Sequence, residues 1–345
     1  MSAEKAQQGE LGGHGADHTA GVLMPHDMAP QDLREFARLV EDLGFDTLWI
    51  PENSFLSGGV AAAALALGAT TTLRVGIGVL PAPTRHPATM AMDISTLANA
   101  CPGRLIAGIG LGVPGWITKM GLLPDKPARF MADYLSALRQ LVDGSETSAT
   151  IHGSPYRLDE IRLAHPVRDH LPLAVGAVGE LMLKLAGRAA DVAIISTLAS
   201  PQYVAWADQI IHEAAAKANR TAPRRVCFVS TSLHDDGAEA RRLIRPDLAF
   251  VLKAMGVCAL TTPLGIDDEL KRLLSGSTPL AEAMPDAWLD EMAIAGTPED
   301  LVVQVERYLA SGATDLVFSP KPARRTVEVL SKISETLELR QQGRG

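Results

Sequence analysis

Chemistry needs ionisable or hydrogen-bonding side chains held where a chain bends, and this sequence has a handful of such places. Pro25-His26-Asp27 sets an imidazole beside a carboxylate just after a short apolar run. His26 can act as a proton donor over a substrate, or the His-Asp pair can cap the helix that begins near Pro30. Pro51-Glu52-Asn53 follows a second apolar run. A carboxylate and an amide there can face a ligand or shape a turn, because Asn and Ser favour turns. Arg85, in Arg85-His86-Pro87, can hold an anion or pair with an acid. Gly76 and Gly78 interrupt an apolar run. Glycines inside a strand mark a bulge or a close backbone approach, and either a flat cofactor ring or a tightly packed helix accounts for them.

Two glycine-rich segments bear on phosphate binding. Gly110, Gly112 and Gly115 spell G-x-G-x-x-G. A dinucleotide fingerprint must open a helix after the first strand of its unit, whereas here Pro114 and Trp116 lead into an irregular stretch, so the motif is rejected as a fingerprint and kept as a ligand-facing loop. Gly176-Ala177-Val178-Gly179 stands directly before a helix starting at Glu180. Small residues at a helix N-terminus leave backbone N–H groups free for a phosphate; the plainer reading is an ordinary turn. Ser196 and Thr197 can support that site with hydroxyls. There is no H-E-x-x-H, no G-x-S-x-G and no Ser/His/Asp arrangement. Metal-dependent hydrolysis and triad chemistry therefore lack support, and no metal site is expected.

These segments share one position: each follows a short apolar run. The runs are Gly21–Met24, Thr47–Ile50, Leu73–Leu80, Leu105–Ile109, Leu173–Val175, Val192–Ser196, Val226–Ser232 and Leu316–Ser319. Helical patterns separate most of them, as in 30–43, where Leu33, Phe36, Ala37, Val40 and Leu43 share a face before Gly44. Continuous apolar strands are buried on both faces, and strand–helix alternation makes the sheet parallel. Eight such units predict an α/β chain closed as a (β/α)8 TIM barrel with insertions; a doubly wound open sheet is the other arrangement. Active sites of such barrels lie at the C-terminal ends of the strands, where the polar segments fall. Thr150–Leu158 reads as a small hairpin, and 256–294 as an irregular insertion over one end of the barrel. Thr297-Pro298-Glu299-Asp300 is a strong helix start. Residues 1–20 read as a disordered tail, leaving 21–345 as a single domain.

Composition narrows the class. Of 345 residues, 47% are apolar and only 4% aromatic, so small aliphatic residues must fill the core. A net charge of −8 argues against a nucleic-acid partner. Three cysteines without C-x-x-C spacing fit a reduced compartment, and no segment reads as a signal peptide or membrane span. A cytoplasmic location is expected.

Four segments carry a family resemblance: 35–52, 75–112, 171–195 and 295–320. Together they resemble the luciferase-like oxidoreductases, particularly their deazaflavin-dependent branch, over nearly the whole chain. The resemblance implies a cofactor at the strand C-termini and a non-prolyl cis peptide at Gly78–Val79 backing its ring. It also implies that Ala177, Val178 and Gly179 contact the cofactor phosphate, and that Glu52 lies near the ring. The chain departs from the family at three places. Val113 stands where sugar-phosphate dehydrogenases carry a glutamate, Leu23 where methylene-pterin reductases carry one, and Asn53 where many members carry a histidine. The substrate chemistry of those two subfamilies is therefore not carried over.

The resulting expectation is an oxidoreductase that transfers hydride between coenzyme F420 and a small organic substrate. Glu52, Asn53 and His26 are its polar candidates, and Gly78, Val79, Gly110, Gly112, Gly176, Ala177, Val178 and Gly179 its cofactor wall. An FMN-dependent monooxygenase and a barrel that only binds a cofactor are the alternatives. A homodimer is expected from the resemblance.

Overall fold

The computed structural model describes residues 18–339. Its strands are β1 (Thr19–Leu23), β2 (Thr47–Ile50), β3 (Arg74–Pro81), β4 (Leu105–Gly110), β5 (Thr147–Thr150), β6 (Arg157–Ile161), β7 (Leu173–Ala177), β8 (Val192–Ile195), β9 (Arg224–Leu233), β10 (Ala293–Gly296) and β11 (Asp315–Pro320). Eight of them close a parallel barrel in the order β1-β2-β3-β4-β7-β8-β9-β11, with β11 returning to β1 at Thr19↔Asp315. The TIM-barrel expectation holds. The helices are α1 (Leu33–Asp42), α2 (Gly59–Ala69), α3 (Pro87–Ala100), α4 (Pro114–Lys119), α5 (Pro127–Val142), α6 (Glu180–Ala189), α7 (Pro201–Lys217), α8 (Gly237–Met255), α9 (Asp267–Leu274), α10 (Leu280–Ala283), α11 (Asp286–Met292), α12 (Pro298–Ala310) and α13 (Thr326–Thr336).

Several boundaries differ from the sequence reading. β1 takes in Thr19 and Ala20, which the tail had included, while residues 1–17 lie outside the described ones. The hairpin is longer than expected: β5 and β6 pair antiparallel from Thr147↔Ile161 to Thr150↔Arg157. The stretch after Trp116 is not wholly irregular, because α4 occupies it. The segment 256–294 is ordered as three short helices, α9 to α11, and ends in β10. β10 pairs with the last four residues of β9 (Ala293↔Ser230 to Gly296↔Leu233), beyond the stretch that β8 covers (Val192↔Arg224 to Ile195↔Cys227). It thus extends the wall at the C-terminal end.

Side-chain alternation splits the core in two. Helix-facing residues such as Leu48, Ile50, Ile77, Cys227, Val229, Leu316 and Phe318 join one large cluster. Trp49, Ile106, Ala174, Val192, Ile194, Val226, Phe228 and Val317 form a second, which fills the barrel interior. The rings of Trp49 and Phe228 meet edge to face at 5.5 Å, a favoured aromatic geometry. Glycines make room for them. A Cβ on Gly76 would stand 2.5 Å from the Trp49 ring, and one on Gly78 2.8 Å from Phe228.

Caps fix the ends of the elements. Thr297 and Asp300 form the reciprocal capping box their spacing predicts. The Glu41 carboxylate, at the end of α1, accepts backbone N–H groups from Thr71, Thr72 and Leu73 at 2.9, 2.7 and 2.9 Å, which fixes the entry to β3. Burial alone would raise its pKa, but these bonds outweigh it and hold the group below the ordinary 4.5. A lowered folded pKa stabilises above the unfolded value, and that stability is lost as pH falls through the folded one. Glu41→Gln is expected to cost about 1–2 kcal/mol near neutral pH, a figure tempered by solvent screening. In thermal melts its deficit should shrink below pH 4.5. A deficit independent of pH would show that the charge is not what matters.

Candidate active site

The C-terminal mouth of the barrel collects most of the segments singled out by sequence. Register along β3 shifts between Ile77 and Leu80, and the cis peptide Gly78–Val79 lies in that bulge. Both residues are half-buried. The Val79 side chain sits against glycines of β4 and, beyond it, β7. A Cβ on Gly110 would be 2.5 Å from Val79 Cγ2, and one on Gly176 3.1 Å from Val79 Cγ1. The geometry therefore brings Gly78, Val79, Gly110 and Gly176 into one wall. Gly112 does not join it. Its φ is +73°, and it makes room for Ile117 and Pro81. Nothing lies within 4 Å of a Cβ on Gly115.

Ala177 is buried, and Val178 and Gly179 are half-buried, between β7 and α6. Gly179 is the N-cap of α6, with no side-chain cap bond. The N–H groups of the first helical turn are thus not taken by a capping side chain, which suits an anion. The loop is held from behind by Tyr203, whose hydroxyl donates to the Val178 carbonyl at 2.5 Å. Burial pushes the Tyr203 pKa well up, so it stays a donor. Its backbone N–H bonds Ser200 Oγ, the cap of α7. Nothing in the sequence marked Tyr203, because its partner lies 25 residues away.

The polar candidates are less united. Glu52 is bonded by Arg85 through both carboxylate oxygens, at 2.5 and 2.9 Å, and by the Gly59 N–H that opens α2, at 2.6 Å. This settles which of its two roles Arg85 takes: its partner is an acid of the same chain. Burial alone would lower the Arg85 pKa, but the hydrogen-bonded Glu52 carboxylate outweighs it and raises it. The Arg85 carbonyl accepts from Tyr134 Oη at 3.0 Å, while His86 caps α3 through Ala88 N–H and bonds the Arg157 carbonyl. Asn53 is half-buried at the start of a turn, its carbonyl accepting from Leu56 N–H. His26 is exposed in the Pro25–Met28 turn, with no hydrogen bond among the described residues. Glu52 is therefore a clamp between the β2–α2 and β3–α3 loops, and nothing brings it to His26.

Sequence reasoning missed the far side of the mouth. Ser230 and Ser232 lie on the same face of β9 as Val226 and Phe228, which fill the interior, and Ser319 follows Val317 in the same way on β11. Period-two alternation in VCFVSTS was the available signal.

In closed parallel barrels of this kind an active site lies at this mouth. A family model described as luciferase-like monooxygenase matches residues 10–315. The chain belongs to that family and is an oxidoreductase of it. It is 26% identical over 309 residues to a 5,10-methylenetetrahydromethanopterin reductase of Archaeoglobus fulgidus, covering 86% of this chain and 92% of that protein. It is 28% identical over 304 residues to an F420-dependent glucose-6-phosphate dehydrogenase of Nakamurella multipartita, covering 84% and 86%. The solved structure of the coenzyme F420-dependent tetrahydromethanopterin reductase of Methanopyrus kandleri superposes with a TM-score of 0.79 at 23% identity, covering 94% of this chain and 98% of that one. No helix among the described residues is long and apolar enough to cross a membrane.

The clamp can be tested by mutation. Glu52→Gln leaves a half-buried guanidinium short of its carboxylate and should cost about 1–3 kcal/mol of stability. Adding Arg85→Met should restore part of that loss in denaturant melts. No restoration in the double variant would contradict the pairing as the source.

Proposed function

We propose that the protein is a coenzyme F420-dependent oxidoreductase moving a hydride between the deazaflavin and a small organic substrate. The observation that carries this reading is the bulge of β3. It leaves Gly78 and Val79 half-exposed at the barrel mouth, flanked by Gly110 and Gly176. A bulge that presents only a glycine and a valine leaves room for a tricyclic ring. The relatives that use F420 support the choice of cofactor.

The residues present fit such a group. Gly78 and Val79 would back the ring, with Gly110 and Gly176 leaving room for the Val79 side chain beneath it, and the N–H groups at the start of α6, with Ala177, Val178 and Gly179, would hold its phosphate. When bound, the deazaflavin would supply two-electron hydride chemistry. The chain's own part is to position and to dry the site. Tyr203 fixes the Val178 carbonyl and with it the loop that would meet the phosphate. Trp49 and Phe228 close the floor of the mouth against water entering from below. Glu52 and Arg85 hold two of the loops that frame it. Asn53 and His26 are the groups left to meet a substrate from the β1–β2 side. A homodimer belongs to the same reading: α2 turns Ala61, Ala64 and Gly68 to the surface without one polar side chain, an unusual outer face for a helix.

Titrating the apo-protein with F420 and with FMN, followed by fluorescence, tests the cofactor. Selective binding of F420 is expected. Selective binding of FMN would replace this reading with a flavin monooxygenase, and binding of neither would remove the assignment of the glycine wall. Light scattering should give the mass of a dimer, and a monomer mass would remove that element.

A further inference from the structure

The serines at the mouth have no reason in the fold. Ser230 is 5% exposed, Ser232 0% and Ser319 6%. Ser230 and Ser319 are register partners across β9 and β11. Among the described residues none of the three hydroxyls has a hydrogen-bond partner, and the Ser232 Oγ is itself sealed from solvent. Ser196, next after β8, continues the interior-facing positions Val192 and Ile194 and is likewise unpartnered through its side chain. Buried polar groups are nearly always satisfied, and each one left unsatisfied costs stability. One sealed, unpartnered hydroxyl on Ser232, beside the unpaired hydroxyls of Ser230 and Ser319 that open to the mouth, therefore points to a partner that the protein chain does not provide.

Their place in the ring says which partner. Counting around the closed barrel, β9 lies four strands from β3, and β11 four strands from β4. The hydroxyls thus face the glycine–valine wall from the opposite side of the mouth, so a ligand lying against β3 and β4 leaves them to a second molecule. Their chemistry says what kind. A serine hydroxyl both donates and accepts and carries no charge. Carboxylates and phosphates are ordinarily met by Arg or Lys. On this wall Arg224 pairs with Asp315 at the N-terminal end of the barrel, and Lys321, beyond Ser319, has a carboxylate of its own chain, Asp247, 4.0 Å away.

We infer that Ser230 and Ser319, backed by Ser232 and Ser196, form the substrate wall, and that the substrate is an uncharged molecule held through a carbonyl or hydroxyl oxygen. This rests on the reading that the cofactor lies against β3. Protein with and without F420 is tested by ligand-observed NMR for binding of cyclohexanone, cyclohexanol and cyclohexanecarboxylate. The comparison is wild type against Ser230→Ala/Ser319→Ala, with Ser232→Ala as a second variant.

The ketone and the alcohol should bind the F420-loaded wild type better than the carboxylate. The double variant should lose roughly tenfold in that affinity while keeping its melting temperature and F420 affinity. Equal binding by wild type and both variants, tighter binding of the carboxylate, or no binding of any probe to the wild type would overturn the inference. If F420 fails to bind yet the ketone still binds in a serine-dependent way, the cofactor assignment falls and the hydroxyl wall stands.

Discussion

The interior of an eight-stranded barrel has room for only a few large side chains, and here an indole takes much of it. Trp49 on β2 projects inward, and the chain answers with Gly76 on the neighbouring strand, where any Cβ would meet the ring. Phe228 enters from across the barrel and completes the edge-to-face contact. With only 4% aromatic residues in the whole sequence, this pair is a concentrated use of bulk, and close packing leaves little slack around it. The site above depends on it. Gly78 faces the same two rings, so the backbone of β3 can lie close to the barrel axis only because the filling stops at their level.

Charge is managed by internal pairing. Glu52 and Arg85 neutralise each other and join two loops, and Asp315 on β11 holds Arg224 on β9 at the far end. On the β3 side of the mouth lies a glycine–valine surface, and on the β9–β11 side lie hydroxyls.

Much of the fold was legible because parallel strands buried on both faces leave unbroken apolar runs that few other structures produce. Every barrel strand overlaps its predicted run, and the Thr297 cap stands where its spacing put it. The site was legible in part. Gly78, Val79, Gly110 and Gly176 could be marked as special, but glycine is required equally by a ligand and by a crowded neighbour, and only the packing shows that Val79 lies against both Gly110 and Gly176. Arg85 carried two readings because its partner lies 33 residues away. The segment 256–294 hid its strand because β10 is four residues long and takes its place from β9. The serines went unmarked because a hydroxyl in a strand is ordinary until its neighbours are known to leave it unbonded.

Closure of the barrel by β1 and β11 has a consequence in time. Thr19 pairs with Asp315, so β1, the first of the described strands, must wait for the last of them, β11, before its outer edge is covered. Until then the growing chain carries two open strand edges, β1 on one side and the newest strand on the other, each able to pair with another chain. Contacts this distant in sequence also slow folding, because the loop must close before the pairing repays it. Helix pairs such as α1 with α2 can pack early, since their partners follow within a few dozen residues. The vulnerable interval is the one in which the barrel is still an open sheet, and it ends only with the synthesis of the strand that carries Ser319.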